Sequence, residues 1–196
     1  MSSIKEYFRP PCFGGLDLAA SEKRPSGVAV VERNVAVKAG TLFSDSEILE
    51  FFSETSGIVL VVAIDAPLTP AKSGGFREVE KTMLRKGFRL LPLTMASMRN
   101  LMARARRIAR QLALKGICVI ETHPTSVLKQ LGLRGFQEFT EFANKMCGIK
   151  VQDDVLSSSR SSKHVQDSII CAVVAYMAYH GRAKYHYSNE GTIYLI

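Results

Sequence analysis

Residues 58–65 read Ile58-Val59-Leu60-Val61-Val62-Ala63-Ile64-Asp65, an apolar run that ends on an acid. A short apolar run bounded by turn signals is typical of a strand covered on both faces in a parallel sheet. Gly57 precedes the run and Pro67 follows it, so both ends are marked. We therefore predict a central β-strand that ends on a carboxylate.

Three extended segments precede this strand, at residues 13–19, 27–33 and 35–43, with turn residues between them. Their short connections predict an antiparallel meander. Residues 44–47, Ser-Asp-Ser-Glu, then offer an N-cap and early acidic charge for a first helix that ends near residue 55. We predict an N-terminal arm at residues 1–12, followed by a single domain at residues 13–196.

After the apolar strand, helical and extended patterns alternate. We predict a helix over 96–115, a strand over 116–121, short helices over 126–131 and 135–146, an apolar helix over 164–180, and two short β-like runs around 188–191. Right-handed crossovers place the strand after the first helix beside the first strand, which gives the spatial order 3-2-1-4-5. We therefore predict an α/β, RNase H-like fold: a five-stranded mixed sheet, with strand 2 antiparallel, flanked by helices.

Acidic residues stand at the ends of three of these strands: Asp17, Asp65 and Glu121. In the predicted topology those ends share one edge of the sheet, where the switch in strand order opens a crevice. Asp167, on the apolar helix, can complete the set from the other wall. Crowded carboxylates are costly without a cation, and oxygen ligands favour Mg²⁺ or Mn²⁺ over zinc. We expect all four acids to be metal ligands and catalytic residues, able to hold the ions of two-metal phosphodiester hydrolysis.

Each of these residues also has an ordinary structural explanation. Strand-end acids can cap loops, and Asp167 can be an acid in the first turn of its helix, favoured by the helix dipole. His123 and His164 can orient water or contact phosphate, but they can equally be hydrogen-bonded structural histidines. These alternatives stay open from the sequence.

A basic face is predicted on the helix over 96–115. Arg99, Arg106, Arg107 and Arg110 share the side opposite an apolar stripe, and the chain has a formal net charge of +8. Such a face can contact the phosphates of DNA or RNA without reading sequence, or it can be no more than a solvated side.

Four segments together resemble a known family: residues 15–19, residues 64–68, Glu121-Thr122-His123-Pro124, and His164-Val165-Gln166-Asp167-Ser168. They are similar to the domain of unknown function 429 family, which is described as predicted RNase H-like nucleases. The likeness spans most of the chain. It implies the RNase H-like fold and the acidic site more than any particular substrate.

A loop rich in proline and glycine, at residues 67–75, leads into Arg77-Glu78-Val79-Glu80. This segment resembles the Arg-x-x-acid pattern of the same family, with Glu80 as the acid. The loop can move over a site, and Arg77 and Glu80 can close over a substrate. A solvated ion pair on a helix turn is the alternative.

The remaining features bear on compartment and partners. Four widely spaced cysteines form no C-x-x-C pair, and no apolar run is long enough to span a membrane, so we expect a soluble, cytoplasmic protein. Ile4, Tyr7 and Phe8 resemble the apolar part of a sliding-clamp-binding peptide, although its usual glutamine is absent. A homo-oligomer is also compatible with the sequence.

The function predicted from these observations is metal-dependent nuclease activity on DNA or RNA. One alternative is a nucleic-acid-binding or scaffold protein that keeps the fold without turnover. Another is a phosphotransferase related to sugar kinases and actin, whose first strand also carries an aspartate. That fold needs two such domains around a nucleotide, and 196 residues are too few for both.

Overall fold

The computed structural model describes residues 9–33, 35–55, 57–152 and 162–196. Its strands are β1 Pro11–Asp17, β2 Ser26–Glu32, β3 Val35–Leu42, β4 Ile58–Asp65, β5 Cys118–Thr122, β6 Lys150–Val151, β7 Lys184–Ser188 and β8 Gly191–Leu195. Its helices are α1 Asp45–Ser53, α2 Glu78–Arg85, α3 Ala96–Leu114, α4 Pro124–Leu131, α5 Phe136–Cys147 and α6 Lys163–Tyr179.

The described strands form one sheet in the order β6-β3-β2-β1-β4-β5-β8-β7. Its centre confirms the predicted order 3-2-1-4-5, with β2 antiparallel to both neighbours and β4 parallel to β1 and β5. The predicted five strands are too few. The two-residue strand β6 extends one edge, and the β7–β8 hairpin extends the other through parallel pairing of β8 with β5.

Helices cover both faces of this sheet. On one face, α6 packs against the central strands, and buried residues of α2, α4 and α5 join the same core. On the other face, α1 and α3 cover the sheet with residues such as Phe52, Ile108 and Leu112. The burial of β4 between these layers explains why its sequence is apolar at nearly every position.

Two glycines let α6 lie directly on the sheet. A Cβ at Gly15 would come within 1.9 Å of the Ser168 carbonyl oxygen, and one at Gly27 would come within 1.9 Å of the His164 carbonyl oxygen. Gly27 is the register partner of Asp17 across β2 and β1. The first turns of α6 are therefore held against the strand end that carries Asp17.

Some sequence predictions concern features at the margins of the fold. β1 begins at Pro11, two residues before the predicted start of the first strand. Ile4, Tyr7 and Phe8 lie outside the described residues. The four cysteines are free. None of the helices in the described part of the chain is long and apolar enough to cross a membrane.

Candidate active site

Asp17 and Asp65 are the last residues of β1 and β4, and they are register partners on these parallel strands. Neighbouring strands lie about 4.8 Å apart, so the two carboxylates leave the sheet side by side. The predicted convergence of the two acids is therefore present. It follows from the β1–β4 pairing, which brings together residues that are remote in the sequence.

The first turn of α6 adds polar groups beside this pair. His164 Nδ1 lies 2.6 Å from Asp17 Oδ2, within hydrogen-bonding distance. Lys163 Nζ lies 4.0 Å from Asp167 Oδ2. The side chains of Asp17 and Asp167 are only 14% and 15% exposed, whereas His164 is half exposed. The acids are thus recessed behind a histidine that solvent can reach.

Burial and mutual repulsion disfavour the charged form of these acids. The pKa of Asp65 is raised well above its ordinary value by burial and then by the charges of Asp17, Asp167 and Glu121. Burial also raises the pKa of Asp17, although His164 opposes that rise. Burial and the neighbouring Asp17 raise the pKa of Asp167 to about 6. A cation would relieve the electrostatic cost shared by all three.

Glu121 has a different environment. Its β5 position pairs with Ile64 and not with Asp65, so it lies one residue back from the aspartate pair. Arg77 donates from Nη1 to Glu121 Oε2 over 2.9 Å and from Nη2 to Oε1 over 2.5 Å, and the Leu68 amide also donates to Oε2. Burial raises the pKa of Glu121, while Arg77 acts to lower it. Three of the roughly four lone-pair sites of this carboxylate are therefore occupied, which leaves Glu121 less free to bind an ion than the aspartate pair.

The Arg77 guanidinium is completely buried, and Glu80 is 4% exposed. Arg77 Nη2 donates to Glu80 Oε1 over 2.8 Å, and the Arg77 amide donates to Glu80 Oε2 over 2.8 Å. The expected Arg-x-x-acid pair is present, but it is a buried ion pair and not a solvated one. Both side chains are engaged within the protein, although Glu80 also lines a cleft together with Asp17 and Asp65.

Distant residues tie the predicted moving loop to this cluster. Arg77 Nη1 donates to Thr69 Oγ1 over 2.8 Å, and the Thr69 hydroxyl donates to the Glu190 carbonyl. The Glu190 carboxylate accepts from the Lys72 amide over 2.5 Å and from the Glu78 amide over 2.7 Å. The turn of the β7–β8 hairpin thus fastens both ends of the loop that leads into α2.

His123 borders the same region as the N-cap residue of α4. Its Nδ1 lies 2.7 Å from the Ser126 hydroxyl, and burial lowers its pKa to about 4. It is therefore neutral at pH 7. A cleft of about 210 Å³ joins these features, lined among others by Asp17, Asp65, Glu80, Glu121, His123 and Leu101.

The arginines of α3 divide into two groups. Arg99, Arg106, Arg107 and Arg110 are exposed, as the predicted basic face requires. Arg107 also binds Asp45 Oδ2 at 2.6 Å. Sequence reasoning missed Arg104, which is 2% exposed and donates to Asp45 Oδ1 over 2.7 Å and to the Ala19 carbonyl over 2.9 Å. Its position four residues before the buried Ile108 is the local signal for this burial.

The donor set suits a hard divalent cation by chemistry, because it consists of carboxylate oxygens whose charged forms are crowded and partly desolvated. As the side chains stand in the described residues, no three of His, Cys, Asp or Glu form a group that could hold a metal ion. Mg²⁺ usually binds proteins through one or two carboxylates and keeps several waters. Asp17 and Asp65 supply two such carboxylates. Asp167 lies close enough that its charge raises the pKa of Asp65, and its own pKa is raised by Asp17.

The structure thus brings together Asp17, Asp65, Asp167 and His164. It places Glu80, Glu121 and His123 along the same cleft, with Arg77 buried behind Glu121. The α3 arginines are exposed, while Met98 and Leu101 of the same helix line the cleft. Thr69 and Glu190 escaped sequence analysis because their partners are distant along the chain and no local pattern marks them.

No family model matches the chain, and no curated protein matches it. The resemblance to the domain of unknown function 429 family is therefore not confirmed. Several solved chains are similar to this one, among them two RuvC chains. Thermus thermophilus RuvC in complex with a Holliday junction substrate has a TM-score of 0.54 at 14% identity, covering 88% of this chain and 98% of that one. A second Thermus thermophilus RuvC structure has a TM-score of 0.51 at 14% identity, with the same coverage. The likeness extends over almost the whole RuvC chain, and it shows that this protein has an RNase H-like fold.

Proposed function

We propose that this protein is a metal-dependent nuclease that hydrolyses phosphodiester bonds of DNA or RNA. The observation that carries the proposal is the register pairing of Asp17 with Asp65 at one sheet edge, faced by Asp167 and His164 of α6. Three recessed carboxylates with raised pKa values destabilise the folded protein when they are charged, unless a cation binds them. Such groups are found mainly at sites that bind ions or catalyse reactions. Structural roles alone leave that cost unexplained.

Asp17, Asp65 and Asp167 are the proposed ligands of Mg²⁺ or Mn²⁺, and Glu121 could add an oxygen while it stays paired with Arg77. A divalent ion bound there would activate water and stabilise the leaving oxygen of a phosphodiester. His164 would orient Asp17 through its Nδ1 contact, and its side chain is half exposed to solvent. Neutral His123 can position a water or a phosphate oxygen at the wall of the cleft.

Nucleic acid is the proposed substrate because the chain has a net charge of +8 and α3 exposes Arg99, Arg106 and Arg110. Contacts of this kind raise affinity for phosphates without selecting a sequence. The similar RuvC chain in complex with a Holliday junction supports the same class of partner. Arg77 and Glu80 are assigned a positioning role behind Glu121, since they are buried.

A non-catalytic nucleic-acid-binding protein of the same fold is less well supported. Binding of nucleic acid alone would require the exposed arginines of α3. It would not explain why Asp17, Asp65 and Asp167 lie together in a recess. Steep salt-dependent binding with no cleavage of any substrate would be its signature.

The test is cleavage of single-stranded, duplex, hybrid and branched substrates with Mg²⁺ or Mn²⁺, combined with metal binding by calorimetry. Asp17→Asn and Asp65→Asn should lose cleavage and weaken metal binding while the fold persists. A matched control is Glu138→Gln, because Glu138 is an acid that pairs with the exposed Arg134 outside the cleft. Absence of cleavage with either metal, together with unchanged metal binding in Asp17→Asn, would contradict the proposal.

A further inference from the structure

Tyr185 and Tyr187 project into solvent from β7, the strand at one edge of the described sheet. Their exposed fractions are 64% and 69%. Residues two apart on a strand lie on the same face, so both rings are presented together, about 6.8 Å apart along the strand. His186, between them, points the other way and packs its ring 5.8 Å from that of Phe88.

The rings are anchored from behind. Tyr185 pairs with Tyr194 across the hairpin, and the two ring centroids are 5.9 Å apart. Tyr194 is itself half-buried, so the hairpin supports Tyr185 and leaves most of its surface open. A tyrosine has only two side-chain torsions, and ordering it against a ligand therefore costs little entropy.

The sheet register places these tyrosines near the proposed active site. Tyr185 pairs with Tyr194, which pairs with Thr122 of β5, the residue after Glu121. β7 is three strands from β4, so Tyr185 lies roughly 14 Å across the sheet from the strand that ends in Asp65. A nucleic-acid strand that leaves the cleft along this row meets Tyr185 within a few nucleotides.

Charged residues flank the rings without lying between them. Arg182 precedes β7, and Lys184 at its start lies on the face opposite the tyrosines. At the other end, Tyr187 borders a depression lined by Lys72, Glu78 and Glu190. Exposed aromatic faces are themselves a platform on which unpaired bases stack, and the net charge of +8 favours a polyanionic ligand.

We propose that Tyr185 and Tyr187 form a stacking surface for unpaired bases of a nucleic-acid substrate. The proposal rests on the proposed function in one respect: it takes nucleic acid to be the ligand. It also narrows the substrate class, because a continuous duplex keeps its bases stacked on each other and offers no free face to the rings. The favoured substrate is then a strand, flap or branch with unpaired bases a few nucleotides from the cleaved bond.

The test is fluorescence anisotropy with a labelled single strand and a labelled duplex of the same sequence, measured in EDTA so that no cleavage occurs. Tyr185→Leu and Tyr187→Leu should each lower the affinity for the single strand by about 5- to 150-fold, and the double variant should lose more than either. Duplex affinity should change less than about twofold, since phosphate contacts carry it. Tyr185→Phe with Tyr187→Phe keeps the rings and should retain single-strand affinity.

A matched control is Tyr179→Leu, which removes a tyrosine that is 53% exposed at the end of α6, away from β7. A second measurement does not depend on loss of binding. The chain contains no tryptophan, so Tyr185→Trp introduces a single reporter. Its emission should be quenched by a single-stranded oligonucleotide and not by the duplex.

Equal losses on single strand and duplex, no loss at all, or an unquenched Tyr185→Trp would overturn the proposal. A change of sedimentation in the leucine variant would overturn it as well, because the tyrosines would then cover a second copy of the chain. Failure of the nuclease proposal has a different signature: Asp65→Asn would leave metal binding unchanged, while the EDTA binding measurements stay informative.

Discussion

The backbone of Gly27 lies against the His164 carbonyl so closely that a Cβ at Gly27 would come within 1.9 Å of that oxygen. This contact sets the first turn of α6 beside Asp17, the register partner of Gly27. Gly27→Ala should therefore push α6 away, destabilising the fold by about 1–3 kcal/mol or more because backbone cannot yield as a side chain does. It should also weaken metal binding, since His164 and Asp167 move with the helix.

Chemical denaturation and metal calorimetry check this prediction. Gly40→Ala is the control, because a Cβ at Gly40 meets nothing within 4 Å. That variant should be neutral or slightly stabilising. Equal behaviour of the two alanine variants would show that the close approach of α6 is unimportant.

Arg77→Met should destabilise the protein by about 3–5 kcal/mol, because it leaves the buried Glu121 carboxylate without its cation. Replacing both partners, as in Arg77→Met with Glu121→Leu, should recover the part of that loss that is due to Glu121, while Glu80 remains without its cation. Arg134→Met provides the comparison: Arg134 is 92% exposed in its pair with Glu138, and such pairs contribute at most about 1 kcal/mol. Additive losses in the Arg77 and Glu121 variants, measured in a double-mutant cycle, would argue against a coupled pair.

The pH dependence of stability should reveal the crowded acids. The folded-state pKa of Asp167 is about 6, above the ordinary aspartate value of about 3.9. Between about pH 4 and pH 6 the folded chain then keeps a proton that the unfolded chain has lost, so the free energy of unfolding falls as the pH rises. Asp17 and Asp65 act in the same direction because their pKa values are also raised.

Asp167→Asn should therefore gain about 2–3 kcal/mol relative to the parent at pH 7 and nothing at pH 4. Urea titrations in EDTA at both pH values measure this difference. Glu138→Gln serves as the control, because the pKa of Glu138 is lowered and not raised. Saturating Mg²⁺ should stabilise the parent at pH 7. A pH-independent difference between Asp167→Asn and the parent would refute the electrostatic account.

The exposed arginines of α3 should act through phosphate contacts. Arg106→Gln and Arg110→Gln should each weaken binding to all nucleic-acid sequences alike and reduce the salt dependence by about one phosphate contact. Anisotropy across a range of salt concentrations measures that slope. Arg134→Gln, an exposed arginine between α4 and α5, should leave it unchanged. An unchanged slope in the α3 variants would assign that face to solvent.

The central sheet could be predicted from the sequence because the patterns that mark its strands are local. Seven apolar residues before Asp65 predict a doubly covered strand, and crossover handedness then orders the five central strands. The same reasoning brings Asp17 next to Asp65. It could not predict the β7–β8 hairpin's place in the sheet, since β8 pairs with β5 through only Glu121 and Thr122, and these pairs lie far apart in the sequence.

The environment of each predicted site residue was harder to predict. Glu121 ends an apolar strand as Asp65 does, and only the fold shows that Arg77, 44 residues earlier, occupies both of its oxygens. Glu190 fixes backbone amides more than 100 residues away, with no local pattern to mark it. Side-chain pairing across such separations depends on tertiary contacts, which composition and periodicity do not record.

Anomalous diffraction from a crystal soaked in Mn²⁺ tests the central claim most directly. We expect a peak within coordination distance of the Asp17 and Asp65 carboxylates, on the side of Asp167, and loss of that peak in Asp65→Asn. A soaked crystal with no peak at this edge, or with manganese bound only elsewhere on the chain, would contradict the assignment of these acids to a metal-dependent nuclease.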